Sequence, residues 1–193
     1  MAIVKTDRRS IRTRKAIRNA FAQLFSEKGF AAFTISDLTE RANINRKTFY
    51  NYYPSLKVLA EEITSEITEG FVSLLSEIDF DKPRPDFKAF ATKLTTYLHE
   101  ESELFKNLFS SEHHLSFMNR LTPSLKARAK ALLMPRTDAQ EDDIDYAIDY
   151  SITGFIAVLQ SWLKSEHKKS PAEIAAILEG MLNGGFASLM HKN

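Results

Sequence analysis

Apolar residues recur at three- and four-residue spacing along nearly the whole chain, and period-two alternation of β-branched residues is almost absent. Such spacing stacks one apolar side chain per turn on a single face, so it predicts an all-helical protein of about nine helices. A first helix is expected from Thr13 to Lys28, with Ile17, Phe21, Leu24 and Phe25 facing inward and Gly29 as its stop. Thr34 stands at an N-cap position and Asp37 completes a capping box, so a short second helix follows and carries Ile35, Leu38 and Ala42 inward. In the turn after it, Asn43 is the residue best suited, after glycine, to a left-handed conformation. A third helix is predicted from Asn45 or Arg46 to Pro54 and a fourth from there to Glu77. Two prolines and mixed charges mark residues 79–86 as a linker. Further helices are expected at 87–101, 103–110, 114–132, 139–166 and 172–190. The last start is marked by Ser170, Pro171 and Glu173 at N-cap, N1 and N3.

Charge changes this picture more than composition does. The net charge of +1 hides a division along the chain: residues 1–60 hold 12 Lys and Arg against 4 Asp and Glu, and the remainder holds 14 against 21. A basic head on an acidic body suits a polyanion-binding module joined to a second unit, and equally a solvated basic surface. The chain has no cysteine, which removes disulfides, thiolate nucleophiles and the common structural zinc sites. No apolar run is long enough to cross a bilayer and the first residues are charged, so a cytoplasmic location is expected.

The second and third helices, joined by a tight turn and supported by the first, have the layout of a helix-turn-helix whose second member enters the major groove of DNA. At about 100° per residue, Asn45, Phe49, Tyr52 and Tyr53 cluster on one side of the third helix, while Lys47 and Asn51 lie nearly opposite, flanked by Thr48 and Tyr50. Arg46, Lys47 and Asn51 therefore suit base reading, and Thr34, Tyr50 and Tyr52 suit uncharged phosphate contacts. Lys5, Arg8, Arg9 and Arg12 form a basic N-terminal arm for backbone or minor-groove contact.

The run "FTISDLTERANINRKTFYNYYPSLKVL" resembles the DNA-binding signature of TetR-type transcriptional regulators, with Thr34, Leu38 and Thr39 before the turn and Thr48, Phe49, Tyr50, Tyr52 and Tyr53 after it. The family often has a phosphate-contacting lysine at the start of the fourth helix. Here Leu56 takes that position and Lys57 follows it. The string from Tyr150 to Leu178 is similar to the dimerising region of members related to activators of dihydroxyacetone kinase operons. The resemblance implies a homodimer on double-stranded DNA, with an effector between the helices of the second half.

Two small-residue stripes occur in that half: Gly154, Ala157 and Ser161, then Ala176, Gly180 and Gly184. Glycine in a helix costs about 1 kcal/mol relative to alanine, and a close helix–helix approach is one compensation. With Trp162 and Met181 nearby, the stripes fit a four-helix dimer interface or packing within one chain. Phe105, Phe109, His113, Phe117, Met118, Tyr146, Tyr150 and Phe155 are candidates to line an effector pocket, with core packing as the alternative. His113 and His114 are adjacent, so their side chains diverge on a helix and no metal site is assigned. No cofactor is implied and no catalytic motif is present.

Residues 1–54 are thus expected to bind an operator and residues 55–193 to dimerise and hold the effector, in a repressor released by that effector. The alternative is a helical regulator-like protein acting as a co-activator through a protein partner.

Overall fold

The computed structural model describes residues 8–79, 82, 86–110, 113–165 and 169–186. Every regular element among them is helical. Helix α1 spans Arg8–Lys28, about a turn and a half longer at its start than the apolar period predicts. Those added residues include a single apolar side chain, exposed Ile11, so periodicity carries no signal for them. Arg8, Arg9 and Arg12 accordingly sit on a helix and not on an extended arm, and Lys5 lies outside the described residues.

Gly29 ends α1 by donating its N–H to the Phe25 carbonyl at 2.9 Å. Its φ of 74° and ψ of 164° fall in a region that only glycine enters without strain. Space is short there too: a Cβ at Gly29 would lie 3.1 Å from Nδ1 of His113. Gly29→Ala is expected to destabilise the protein by about 1–3 kcal/mol in chemical denaturation. Adding His113→Ala should recover only the contact component, so full recovery in the double variant would show that the backbone is unstrained.

Helix α2 (Ile35–Arg41) opens on the predicted capping box. Asp37 N–H donates to the Thr34 hydroxyl oxygen at 3.3 Å, and Thr34 N–H donates to the Asp37 carboxylate at 2.7 Å. Arg41 at its end clamps Glu27 of α1 with two bonds of 2.7 and 2.8 Å, a bidentate tie between the two helices. Asn43 takes the left-handed conformation, with φ of 51°.

Helix α3 (Arg46–Tyr50) is shorter than expected, with Asn51 as C-cap and a turn through Tyr52. Ser55 caps α4 (Leu56–Ser76), accepting from Val58 N–H at 3.2 Å, so the fourth helix starts two residues beyond Pro54. The body is built from α5 (Phe87–Glu100), α6 (Ser102–Ser110), α7 (His114–Leu133), α8 (Glu141–Lys164) and α9 (Pro171–Met181). A wider helical turn, Leu182–Phe186, follows α9. The predicted capping box of Ser170 and Glu173 opens α9, and the part of the last predicted helix from 187 to 190 lies outside the described residues.

Helix α1 packs on α6, α4 on α7, α9 on α5, and α8 lies against both α6 and α7. One continuous apolar core joins head and body. Polar ties reinforce the junction: Arg14 meets Glu62 at 3.1 Å, Arg18 meets Glu66 at 2.8 Å and Lys15 meets Glu101 at 3.1 Å. Each is partly exposed and contributes little individually, so the aromatic core sets most of the geometry.

Candidate nucleic-acid interface

The sequence splits α3 into a buried back and a solvent-facing front. Asn45 caps it by accepting from Lys47 N–H at 2.7 Å. Phe49 and Tyr53 are fully buried, their ring centroids 5.9 Å apart, and Phe49 meets Tyr50 edge-on at 5.7 Å. The Tyr53 hydroxyl donates to Glu62 at 2.7 Å. Burial, and then the Glu62 carboxylate, push the Tyr53 phenol above its ordinary pKa, so it stays a protonated donor. Tyr52 is half-buried beneath the Arg14 guanidinium, which stands 5.6 Å from the ring centroid. The helix is thereby fixed from behind by a phenylalanine and two tyrosines.

Arg46, Lys47 and Asn51 are exposed on the front, Tyr50 is 48% exposed and Thr48 is half-buried beside them. Arg46 donates to the Ser36 hydroxyl at 3.3 Å, a bond that holds the guanidinium across the α2 side of the turn. Across an open polar groove, Arg9, Ser10 and Thr13 of α1 face Asn45, Thr48 and Asn51. Sequence reasoning missed Ser10 and Thr13 because no periodic signal brings the first turns of α1 to this groove. Two expected phosphate contacts have prior partners. The Thr34 hydroxyl donates to Asp37 at 2.6 Å within the cap, and exposed Lys57 lies 3.7 Å from Glu61 one turn along α4.

The candidates in the body separate into three groups. Phe105, Phe109 and Phe155 line an apolar cavity between α4, α5, α6, α7 and α8. Phe117 and Met118 are buried, but Phe117 stands between cavity and head, 6.0 Å from the Phe109 centroid and 6.1 Å from that of Phe25. His113 belongs with it, packed on Gly29 rather than on a ligand space. Tyr146 and Tyr150 are 75% and 66% exposed, so neither lines that cavity. The reason is helical: Ile144, Ile148, Ile152 and Phe155 face inward, and a residue two positions from them points about 200° away.

Trp162 also departs from its expected place. It is 3% exposed within its own chain and its indole N–H donates to the Lys169 carbonyl at 2.9 Å, so it forms the floor of an open groove between α8 and α9 and does not project from the outer face. On the outer face, Ala157, Gly180, Met181 and Gly184 are exposed and Gly154 is half-buried. A Cβ added at Gly154, Gly180 or Gly184 would meet no atom within 4 Å. The chain's own packing therefore does not require glycine at any of the three. Among the described residues, no group of three or more His, Asp or Glu is placed to hold a metal ion, and no helix is long and apolar enough to cross a membrane.

Residues 17–63 match the family model of bacterial regulatory proteins of the tetR family, and residues 86–184 match that of a transcriptional regulator C-terminal region. The chain is 29% identical over 175 residues to an uncharacterized HTH-type transcriptional regulator, YxbF of Bacillus subtilis, covering 88% of this chain and 44% of that protein. It is 29% identical over 106 residues to the HTH-type dhaKLM operon transcriptional activator DhaS of Lactococcus lactis, covering 53% and 51%. The chain thus spans about half the length of the curated relatives it matches. The solved structure of a TetR transcriptional regulator from Streptococcus agalactiae superposes with a TM-score of 0.58 at 22% identity, over 91% of this chain and 96% of that one. The matched segments cover both the helix-turn-helix head and most of the helical body, and the chain belongs to the TetR family of bacterial transcriptional regulators.

Proposed function

We propose that the chain acts in the cytoplasm as a homodimeric repressor: residues 1–54 of each copy read one half of a palindromic operator, and residues 55–193 dimerise and hold the effector that releases it. The observation that carries this reading is the two-faced α3, with Phe49 and Tyr53 fully buried while Arg46, Lys47 and Asn51 stay exposed. A helix so anchored presents cations and an amide to base edges without bending, and the polar groove beside it offers hydroxyls to the flanking phosphate.

The outer faces of α8 and α9 supply the surface for a second copy. Exposed Ile177 and Met181 lie beside glycines that no intrachain contact explains, and removal of apolar surface by a partner accounts for both features. Two heads related by a two-fold axis then address half-sites about 34–36 Å apart. Occupying DNA in this way blocks other proteins without any further contact surface, which favours repression.

The co-activator reading is favoured by one observation, the exposure of Tyr146 and Tyr150 among Asp142, Asp143 and Asp149. Fluorescence anisotropy with the DNA flanking its own gene, with and without candidate metabolites, tests the proposal. Tight binding that a metabolite weakens is expected. Binding that strengthens only when a second protein is added would favour the co-activator.

Side chains on the front of α3 should differ in kind. Lys47→Ala is expected to change which operator variants bind best, by about 1–3 kcal/mol at one base position, whereas Tyr50→Phe should weaken all variants about equally. Equal losses across variants for Lys47→Ala would place that lysine on phosphate instead.

A further inference from the structure

Ser36 is the second residue of α2, and its hydroxyl joins the two helices of the head. Its side chain is exposed while its backbone is fixed from both sides. The Thr34–Asp37 capping box closes the turn before it, and the hydroxyl of buried Thr39 donates to the Ser36 carbonyl at 3.1 Å. Arg46 opens α3 between the Asn45 cap and buried Phe49, and its Nη1 donates to the Ser36 hydroxyl oxygen at 3.3 Å.

A neutral partner sets Arg46 apart from other cations of the head. Arg14, Arg18, Lys28 and Arg41 each stand within 3.7 Å of a carboxylate, on Glu62, Glu66, Asp37 and Glu27 in turn. Among the described residues no carboxylate pairs with Arg46. A carboxylate would orient the guanidinium but offset its charge towards DNA, whereas a hydroxyl orients it and leaves the charge whole. A side chain already held in place also loses less freedom when it meets a base.

The orientation selects which donors remain. A guanidinium carries five N–H groups in one plane, and a bond from Nη1 leaves the edge formed by Nε and Nη2 with two parallel donors. In the major groove only guanine presents two acceptors side by side, O6 and N7.

We propose that Ser36 is a positioning residue that sets Arg46 to read one guanine in each operator half-site through its Nε–Nη2 edge. This rests on the reading of α3 as the operator-reading helix and names a base that it selects.

The test selects duplexes from a randomised pool with the full chain, then measures anisotropy for the recovered operator with each base pair replaced in turn. The unmodified protein is expected to prefer guanine at one position per half-site by roughly 5- to 150-fold. Arg46→Ala should flatten that position alone. Ser36→Ala should reduce the guanine preference at least threefold while preferences elsewhere and the urea midpoint stay unchanged, and Ser36→Thr, which keeps the hydroxyl, should retain it. Should Arg46→Ala weaken every duplex alike and lower the salt slope by about one, the guanidinium lies on phosphate and the proposal falls. A guanine preference that Arg46→Ala removes and Ser36→Ala leaves whole would overturn the role of Ser36. Sequence-specific binding in which no base depends on Arg46 overturns this inference and leaves the operator reading standing. Unmodified protein that prefers no duplex overturns the operator reading and this inference with it.

Discussion

Gly180→Arg is expected to leave the monomer folded, abolish the proposed dimer and weaken operator binding by roughly 100- to 10,000-fold. Within one chain the site is open: Gly180 is exposed on α9 and an added Cβ would touch nothing within 4 Å. Arginine is also the better helix former by about 0.7 kcal/mol, so the monomer should be no less stable. At an interface the outcome reverses, because a long cation would be driven between closely packed helices. Separated heads then lose the gain from binding two half-sites at once. Light scattering after size exclusion reads the assembly and anisotropy reads the affinity. A Gly180→Arg protein that remains dimeric would remove this face from the interface, and Gly180→Ala is expected to dimerise normally.

Phe49→Ala should have the largest effect on stability. Phe49 is fully buried behind the exposed face of α3, between Tyr50 and Tyr53. Truncating such a ring costs about 3–5 kcal/mol, from lost burial plus the cavity left behind. Against a total of about 5–15 kcal/mol for an ordinary domain, that is enough to loosen the head and end operator binding. Tyr50→Phe, at the half-exposed neighbour, should change stability by less than about 0.5 kcal/mol. Urea unfolding of the two variants separates them. A loss below about 1 kcal/mol for Phe49→Ala would mean that α3 is not held from behind as described.

Much of this architecture is legible in the sequence. The inner face of α1, the capping boxes at Thr34 and Ser170 and the left-handed Asn43 follow from local chemistry, which neighbouring helices reinforce. The first turns of α1 are not legible, because solvated arginines, a serine and one exposed isoleucine, Ile11, leave no apolar period to detect. The exposure of Tyr146 and Tyr150 and the burial of Trp162 are legible in the register of α8. The inward run Ile144, Ile148, Ile152, Phe155 and Leu159 puts Trp162 on the same face and both tyrosines opposite it. The cavities are a different case, since unfilled space depends on how five helices meet and no residue type encodes it.

Binding of duplex DNA by the braced cationic α3 is read from operator affinity as a function of salt. For a dimer neutralising roughly six to ten phosphates, affinity for the DNA flanking its gene should fall by about 1,000- to 100,000-fold between 50 and 200 mM salt, and a scrambled duplex should bind far more weakly throughout. Affinity that ignores salt, or that fails to distinguish the two duplexes at any salt concentration, would contradict it.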